Sequence, residues 1–209
     1  MSAARGRFIV LEGIDGSGTT TQAARLVASL RAAGQVVVGT REPSEGPMGL
    51  LLRQALTRRL VGISDRVLAL LFAADRLDHL ASLVEPALAE GKVVVSDRYV
   101  LSSLAYQGMR LPLAWVEALN AAARPADLTL YLDVDVRTAS RRRHVRGGPL
   151  ELFDADPVQR SVARAYGRVV RKNARAQRVV RVDGSGTPDA VAAEILSAAQ
   201  ALLSGRRRK

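Results

Sequence analysis

Gly13 and Gly18 enclose four residues, Ile14-Asp15-Gly16-Ser17, and are followed directly by Thr19 and Thr20. Glycines at that spacing let the backbone curl until successive N–H groups face one point. A helix starting there adds its partial positive charge, so the turn suits a phosphate. The match is to the G-x-x-x-x-G-K-[ST] pattern of phosphate-binding loops, which requires a strand before it and a helix after it. The Thr20 hydroxyl is then placed to bind Mg²⁺. Thr19 stands where the pattern has lysine. Losing such a charge-assisted hydrogen bond costs about 1.5–3 kcal/mol.

Two further groups could work on the same phosphates. Asp97 and Arg98 close an apolar run. A carboxylate at a strand's carboxyl end can hold Mg²⁺ directly or through water, and the arginine beside it can fork two phosphate oxygens. The plain alternative is a surface ion pair. Phe72 and Arg76 are four residues apart and share one helix face. The ring can stack on a planar base while the guanidinium donates to a carbonyl oxygen, although Phe72 alone would read as core packing.

These residues must be held by a framework, and its pattern is regular. Phe8 to Leu11, Val36 to Val38, Val93 to Val95, Leu128 to Leu132 and Val179 to Val182 are short apolar runs rich in β-branched residues. They predict strands buried on both faces, as in a parallel sheet. Helical patterns separate them: Thr20 to Ala33, Asp65 to Ala89 with a kink or split at Pro86, Pro112 to Ala123, Val136 to Val145, Pro157 to Ala176 and Pro188 to Leu203. Alternating β and α units predict a doubly wound α/β fold, a five-stranded parallel sheet flanked by helices, with ligands beyond the strands' carboxyl ends. A single domain is expected over all 209 residues.

Composition removes several classes. With no Cys and only His79 and His144, disulfides, thiolate metal sites and a histidine metal site are not expected. No apolar run reaches membrane-spanning length, and the N-terminal stretch lacks a signal-peptide core, so a cytoplasmic location is expected. The net charge is +11, but the basic residues are spread along the chain. Composition bias therefore explains it better than nucleic-acid binding, and no nucleic-acid partner is expected. Only Arg141 to Arg143 and Arg206 to Lys209 form tight runs.

Further motifs stand in order: Thr40-Arg41-Glu42-Pro43, Phe72-Ala73-Ala74-Asp75-Arg76, Asp97-Arg98-Tyr99, Ser102-Ser103-Leu104-Ala105-Tyr106-Gln107-Gly108, and Pro125-Ala126-Asp127-Leu128 before Leu130-Tyr131-Leu132-Asp133. Together with the loop after the first strand, this set resembles bacterial thymidylate kinase, a P-loop nucleoside monophosphate kinase, from about Phe8 to about Leu203. The resemblance implies phosphoryl transfer from ATP to dTMP with Mg²⁺, and a homodimer. It implies ATP contacts at Gly13, Ile14, Asp15, Gly16, Ser17, Gly18, Thr19, Thr20 and Thr21, and metal contacts at Thr20 and Asp97. For dTMP it implies Arg98 and Arg53 on the 5′-phosphate, Phe72 and Arg76 on the thymine ring, and Asp15 at the sugar 3′-hydroxyl near the metal. Glu42 would lie close to the same sugar or to metal waters. Tyr106 and Gln107 would pack on the deoxyribose, and Ser103 would bond the pyrimidine. For Ser103 a helix N-terminal cap is an equal reading.

Arg141 to Arg143, His144, Val145 and Arg146 lead into Gly147-Gly148-Pro149, which resembles a mobile lid, about 141–156, over ATP. Arg142 and Arg146 match the family's lid arginines best; with Asp15 and Arg98 they form the expected catalytic set. Asp183 to Gly186 would border the adenine, and 204–209 is read as a basic tail. Where some members carry an arginine inside the phosphate loop this chain has Gly16, and where the family has Asp-Arg beyond the lid turn it has Glu151-Leu152. Two other readings therefore stay open: a kinase with a different acceptor, and a nucleotide-binding homologue impaired in transfer.

Overall fold

β1 (Arg7–Glu12) is a run of apolar residues whose alternate side chains leave opposite faces of the strand, and both sets find a core. A computed structural model describes residues 6–147, 152–174 and 178–205. Ile9 and Leu11 pack with one hydrophobic cluster, Phe8 and Val10 with another on the opposite face. The other strands are β2 (Val37–Arg41), β3 (Val93–Asp97), β4 (Leu128–Asp133) and β5 (Val179–Asp183). All pairings are parallel, in the order β2-β3-β1-β4-β5. From β1 the chain winds outward to β2 and back to β3, then crosses to β4 on the other side. The winding reverses at β1, so the crevice for a ligand lies beyond its carboxyl end.

Helix α1 (Thr19–Ala32) and the last helix lie on one face; the others cover the opposite face and the sheet's carboxyl edge. α1 starts at Gly18, with φ 98° and no side-chain cap. The amides of its first turn are left facing the crevice. The second and fifth helices, α2 (Pro47–Leu56) and α5 (Val100–Tyr106), stand outside the six long helical stretches; Arg53 already follows a helical pattern, and the capping reading starts a helix at Ser103 rather than three residues before it. Ser103 sits inside α5, so the capping reading is replaced by one in which its side chain faces a helix neighbour.

The long helical pattern from Asp65 is continuous but changes pitch. α3 (Asp65–His79) passes into a wider π-helical turn, Leu80–Val84, and then into α4 (Glu85–Ala89). Pro86 has no N–H to donate and its ring crowds the preceding turn, which accounts for widening rather than a clean break. The remaining helices are α6 (Leu113–Leu119), α7 (Val136–Arg146), α8 (Asp156–Asn173) and α9 (Pro188–Leu203). No described helix is long and apolar enough to cross a membrane. Of the expected lid, Gly148 to Glu151 lie outside the described residues; so do Arg206 to Lys209 of the basic tail and the side chain of Arg146.

Candidate active site

β1 ends at Glu12 and hands the chain to the loop Gly13–Gly18. Gly13 is required sterically: a Cβ there would strike the Ser17 side chain and the Leu132 carbonyl oxygen. Gly16 has φ 86°, and a Cβ would run into the Ala139 carbonyl oxygen of α7. An arginine therefore cannot stand at position 16. The neighbouring helix brings one instead: Arg143, 8% exposed, donates to the Asp15 carbonyl at 2.6 Å and to Asp156 Oδ1 at 2.8 Å.

Two clefts open beside this loop. The donor cleft is walled by the loop backbone, Thr19 to Gln22 at the start of α1, Arg142 and Arg143 from α7, and Gly184 and Gly186 after β5. Arg142 Nη1 donates to the Gly184 carbonyl at 3.0 Å and to the Ser17 carbonyl at 3.4 Å. The acceptor cleft is walled by Glu42, Phe72, Arg76, Ser103, Tyr106 and Gln107, with Phe153, Leu56, Pro43, Tyr99 and Ser102. Asp15 and Arg98 belong to both walls. Their side chains form an ion pair, Arg98 Nη2 to Asp15 Oδ1 at 2.6 Å.

Arg98 is held from all sides. Its backbone has φ 73°, a conformation that side-chain-bearing residues rarely adopt and that clusters at functional sites. Nη1 donates to the Gly13 carbonyl at 2.9 Å and to Ser102 Oγ at 3.3 Å, and the guanidinium lies 5.5 Å from the centre of the Tyr106 ring. Burial opposes its charge, but Tyr106, Asp15 and Tyr166 outweigh it and hold the pKa well above the usual arginine range.

Arg76 is 1% exposed and sits in a buried polar network. Nη2 donates to Glu42 Oε2 at 2.6 Å and to Ser103 Oγ at 3.1 Å, and Nη1 donates to Asn120 Oδ1. Glu42 faces His79 Nδ1 at 3.3 Å, whose Nε2 meets Thr40 Oγ1 at 2.7 Å. Glu42 is thus tied to Arg76 while still lining the cleft. Arg76 Nε and Gln107 Oε1 are buried without a partner among the described residues, a donor and an acceptor in the cleft wall. Asp75 holds Ser44 through two hydrogen bonds, fixing the loop after Pro43. Among the described side chains, four expected site residues line neither wall: Gly13 shapes the loop from beneath, Ile14 is buried in the apolar core, Asp97 lies beside Thr20, and Arg53 Nη1 donates to the carbonyls of Pro43 and Ser44 at 3.0 and 2.7 Å.

For a divalent cation, Thr20 Oγ1 donates to Asp97 Oδ2 at 2.5 Å, and Asp97 Oδ1 is buried without a partner among the described residues. The pair lies beside the first turn of α1. No cluster of three or more acidic, histidine or cysteine ligands exists among the described residues. A hard cation taking two protein oxygens and the rest from phosphate and water fits such a pair.

Sequence reasoning missed several residues that hold the site. Gln159, fully buried on α8, brackets Asp15: Nε2 donates to Oδ2 at 2.6 Å, and Oε1 accepts from its backbone N–H at 3.2 Å. Its one available signal was helical spacing, since Gln159, Val162, Tyr166 and Val169 form a buried stripe. Asn120 and Phe153 carried no local signal. Phe153 packs edge-on against Tyr106, with centroids 5.2 Å apart. Leu152 packs into the same apolar cluster, so the cation absent there is not replaced in place.

The family model described as thymidylate kinase matches residues 11–195. A protein of Pyrococcus horikoshii named "probable thymidylate kinase" is 45% identical over 167 residues, covering 78% of this chain and 82% of the relative. A protein of Methylobacillus flagellatus named "thymidylate kinase" is 39% identical over 197 residues, covering 92% of this chain and 96% of the relative.

Proposed function

The chain belongs to the thymidylate kinase family, and we propose on that premise that its two clefts bind ATP and dTMP and pass a phosphoryl group from the first to the second. One observation carries this reading: Asp15 and Arg98 form a wall common to a phosphate-binding loop and a cavity of base-stacking character. The acceptor's nucleophile is a phosphate oxygen, already anionic at neutral pH, so no strong general base is needed. Catalysis is positioning plus neutralisation of charge on the transferred group.

The loop amides and the start of α1 cradle the ATP phosphates. Phe72 stacks on thymine, with Arg76 and Ser103 at its polar edge. Tyr106 and Gln107 shape the deoxyribose pocket, and Asp15 takes the 3′-hydroxyl. Arg98 draws the two phosphate groups together from the common wall, and Arg53 swings from its backbone contacts to the acceptor phosphate. Thr20 and Asp97 would hold Mg²⁺, which would supply neutralisation of phosphate charge. Arg142, Arg143 and Arg146 replace the charge that Thr19 lacks.

One domain carries the reaction, with about 141–156 as its lid, in the cytoplasm where both nucleotides are available. A homodimer is supported by an exposed seam on α3 and the turn after it, where Val67, Leu70, Ala74, Leu77 and Ala81 recur at heptad spacing. Sedimentation of Leu70→Glu should give a monomer. The function is tested by a coupled assay with ATP, Mg²⁺ and dTMP, with dUMP and CMP as competitors. Turnover no better than that of Asp15→Ala would sink it, and preference for another acceptor would redirect it.

A further inference from the structure

Glu12 lies outside both clefts and is fully buried. Its carboxylate accepts four hydrogen bonds. Oε1 takes the backbone N–H of Tyr99 at 3.0 Å and of Ser102 at 3.1 Å. Oε2 takes the hydroxyls of Ser102 at 2.6 Å and Tyr166 at 2.9 Å. α5 has no side-chain cap of its own, so Glu12 supplies one from β1. In doing so it clamps both ends of the first turn of α5, which follows directly on Arg98 and its left-handed backbone.

The same two hydroxyls face Arg98. Its Nη1 lies 3.3 Å from Ser102 Oγ and 3.5 Å from Tyr166 Oη. A hydroxyl has one hydrogen to give and lone pairs to receive with. While Glu12 is ionised, both hydroxyls give their hydrogens to Oε2 and turn lone pairs toward the guanidinium. A proton on Glu12 needs an acceptor. One hydroxyl must then receive that proton on a lone pair and turn its own hydrogen to the other hydroxyl, 2.8 Å away, since a guanidinium has no acceptor; less lone-pair density is then left for Arg98.

We propose that Glu12 is a positioning residue of the transfer step: through Ser102 and Tyr166 it fixes the hydrogen-bond direction at Arg98 and so holds that guanidinium at the junction of the two clefts. The inference rests on the kinase reading above. Burial pushes the Glu12 carboxyl up to about 7, against the opposing effects of Ser102, Arg98 and Tyr166. The charged and titratable groups facing it are Arg98, Tyr166 from α8 and Tyr131 from β4, with Asp15 paired to Arg98 beyond. Protonation therefore falls in the working range, and the clamp weakens as pH drops through it.

The experiment compares wild type, Glu12→Gln and Tyr166→Phe in the full chain, with folding checked by circular dichroism. kcat at saturating ATP and dTMP is followed from pH 5.5 to 9, and ¹³C NMR follows glutamate carboxyl and arginine Cζ carbons over the same range. Wild type should show an acid limb in kcat near pH 7. Glu12→Gln should lower kcat at pH 8 about tenfold, leave both KM values within about threefold, and lose that limb. Tyr166→Phe removes one donor to the carboxylate and should move the limb to higher pH. The Arg98 Cζ resonance should titrate with the Glu12 carboxyl, at the same midpoint. A Glu12→Gln profile that keeps the wild-type limb, or a limb unmoved in Tyr166→Phe, overturns the inference. So does an Arg98 resonance that ignores the Glu12 titration. Failure of the kinase reading shows separately, as wild type that does not turn over dTMP while the NMR coupling still reports on Glu12.

Discussion

The two clefts achieve recognition by opposite means. The acceptor cleft is lined by buried side chains that have already found one another: Arg76 is tied to Glu42, Ser103 and Asn120, and Glu42 in turn to His79. The donor cleft is made mainly of backbone, the curled Gly13–Gly18 loop and the first turn of α1, with its cations brought from α7. A preorganised side-chain network suits discrimination among bases, because a wrong partner leaves buried polar groups unpaired. A backbone cradle suits a polyphosphate, which any nucleotide donor shares. That division also explains how a chain can lose a loop lysine and keep its acceptor machinery whole. Charge can reach a phosphate from several directions, whereas a base edge needs particular atoms in particular places.

The comparison breaks first at the residue the clefts share. Arg98→Ala should cost about a thousandfold in kcat, with both substrates affected, since it removes a preorganised cation at the reacting groups. Arg98→Lys should recover little of this, because an ammonium cannot fork two oxygens. An Arg98→Ala loss smaller than tenfold in steady-state assays would mean the clefts do not meet there.

Arg76→Met should act on the acceptor side alone. It leaves Glu42 buried without its cation, a change that costs about 3–5 kcal/mol of stability in denaturant unfolding. The dTMP KM should rise while the ATP KM stays within about twofold.

Arg142→Ala should do the reverse, raising the ATP KM about tenfold, the value of one charge-assisted hydrogen bond, and leaving the dTMP KM unchanged. Initial-rate kinetics with each nucleotide varied in turn separates the two patterns.

The smallest effect is the most informative about Thr19. Thr19→Lys in wild type should change kcat by less than about threefold, because arginines already supply the charge. In the Arg142→Ala background it should recover much of the loss, a non-additivity expected only of groups acting on one site. Equal gains in both backgrounds would show that the donor side is simply short of one cation.

Much of this was legible in the chain itself. The strands announced themselves as short β-branched runs, and each is found, extended by one to three residues toward its carboxyl end. Phe72, Arg76, Asp97 and Arg98 were named from type and spacing, Tyr106 and Gln107 from the family resemblance, and all border the clefts or the Thr20–Asp97 pair. What escaped was whatever depended on partners distant in sequence. Gln159 meets Asp15 across 144 positions and Tyr166 meets Glu12 across 154; helical spacing marks both as buried on one stripe but names neither partner. Arg143 was seen in a run of three arginines, but nothing local distinguished the one that turns inward.

Local physics therefore determined the elements, the phosphate-binding turn and the family resemblance, because propensity, glycine conformation and apolar periodicity act over a few residues. Only the packed tertiary structure decided which arginine seals the loop, that Arg53 ties down the 43–44 backbone, and that Glu12 caps α5 from another strand. Those outcomes follow from burial: once water is excluded, each polar group must take whatever partner the fold brings within reach, and sequence distance has no bearing on that choice.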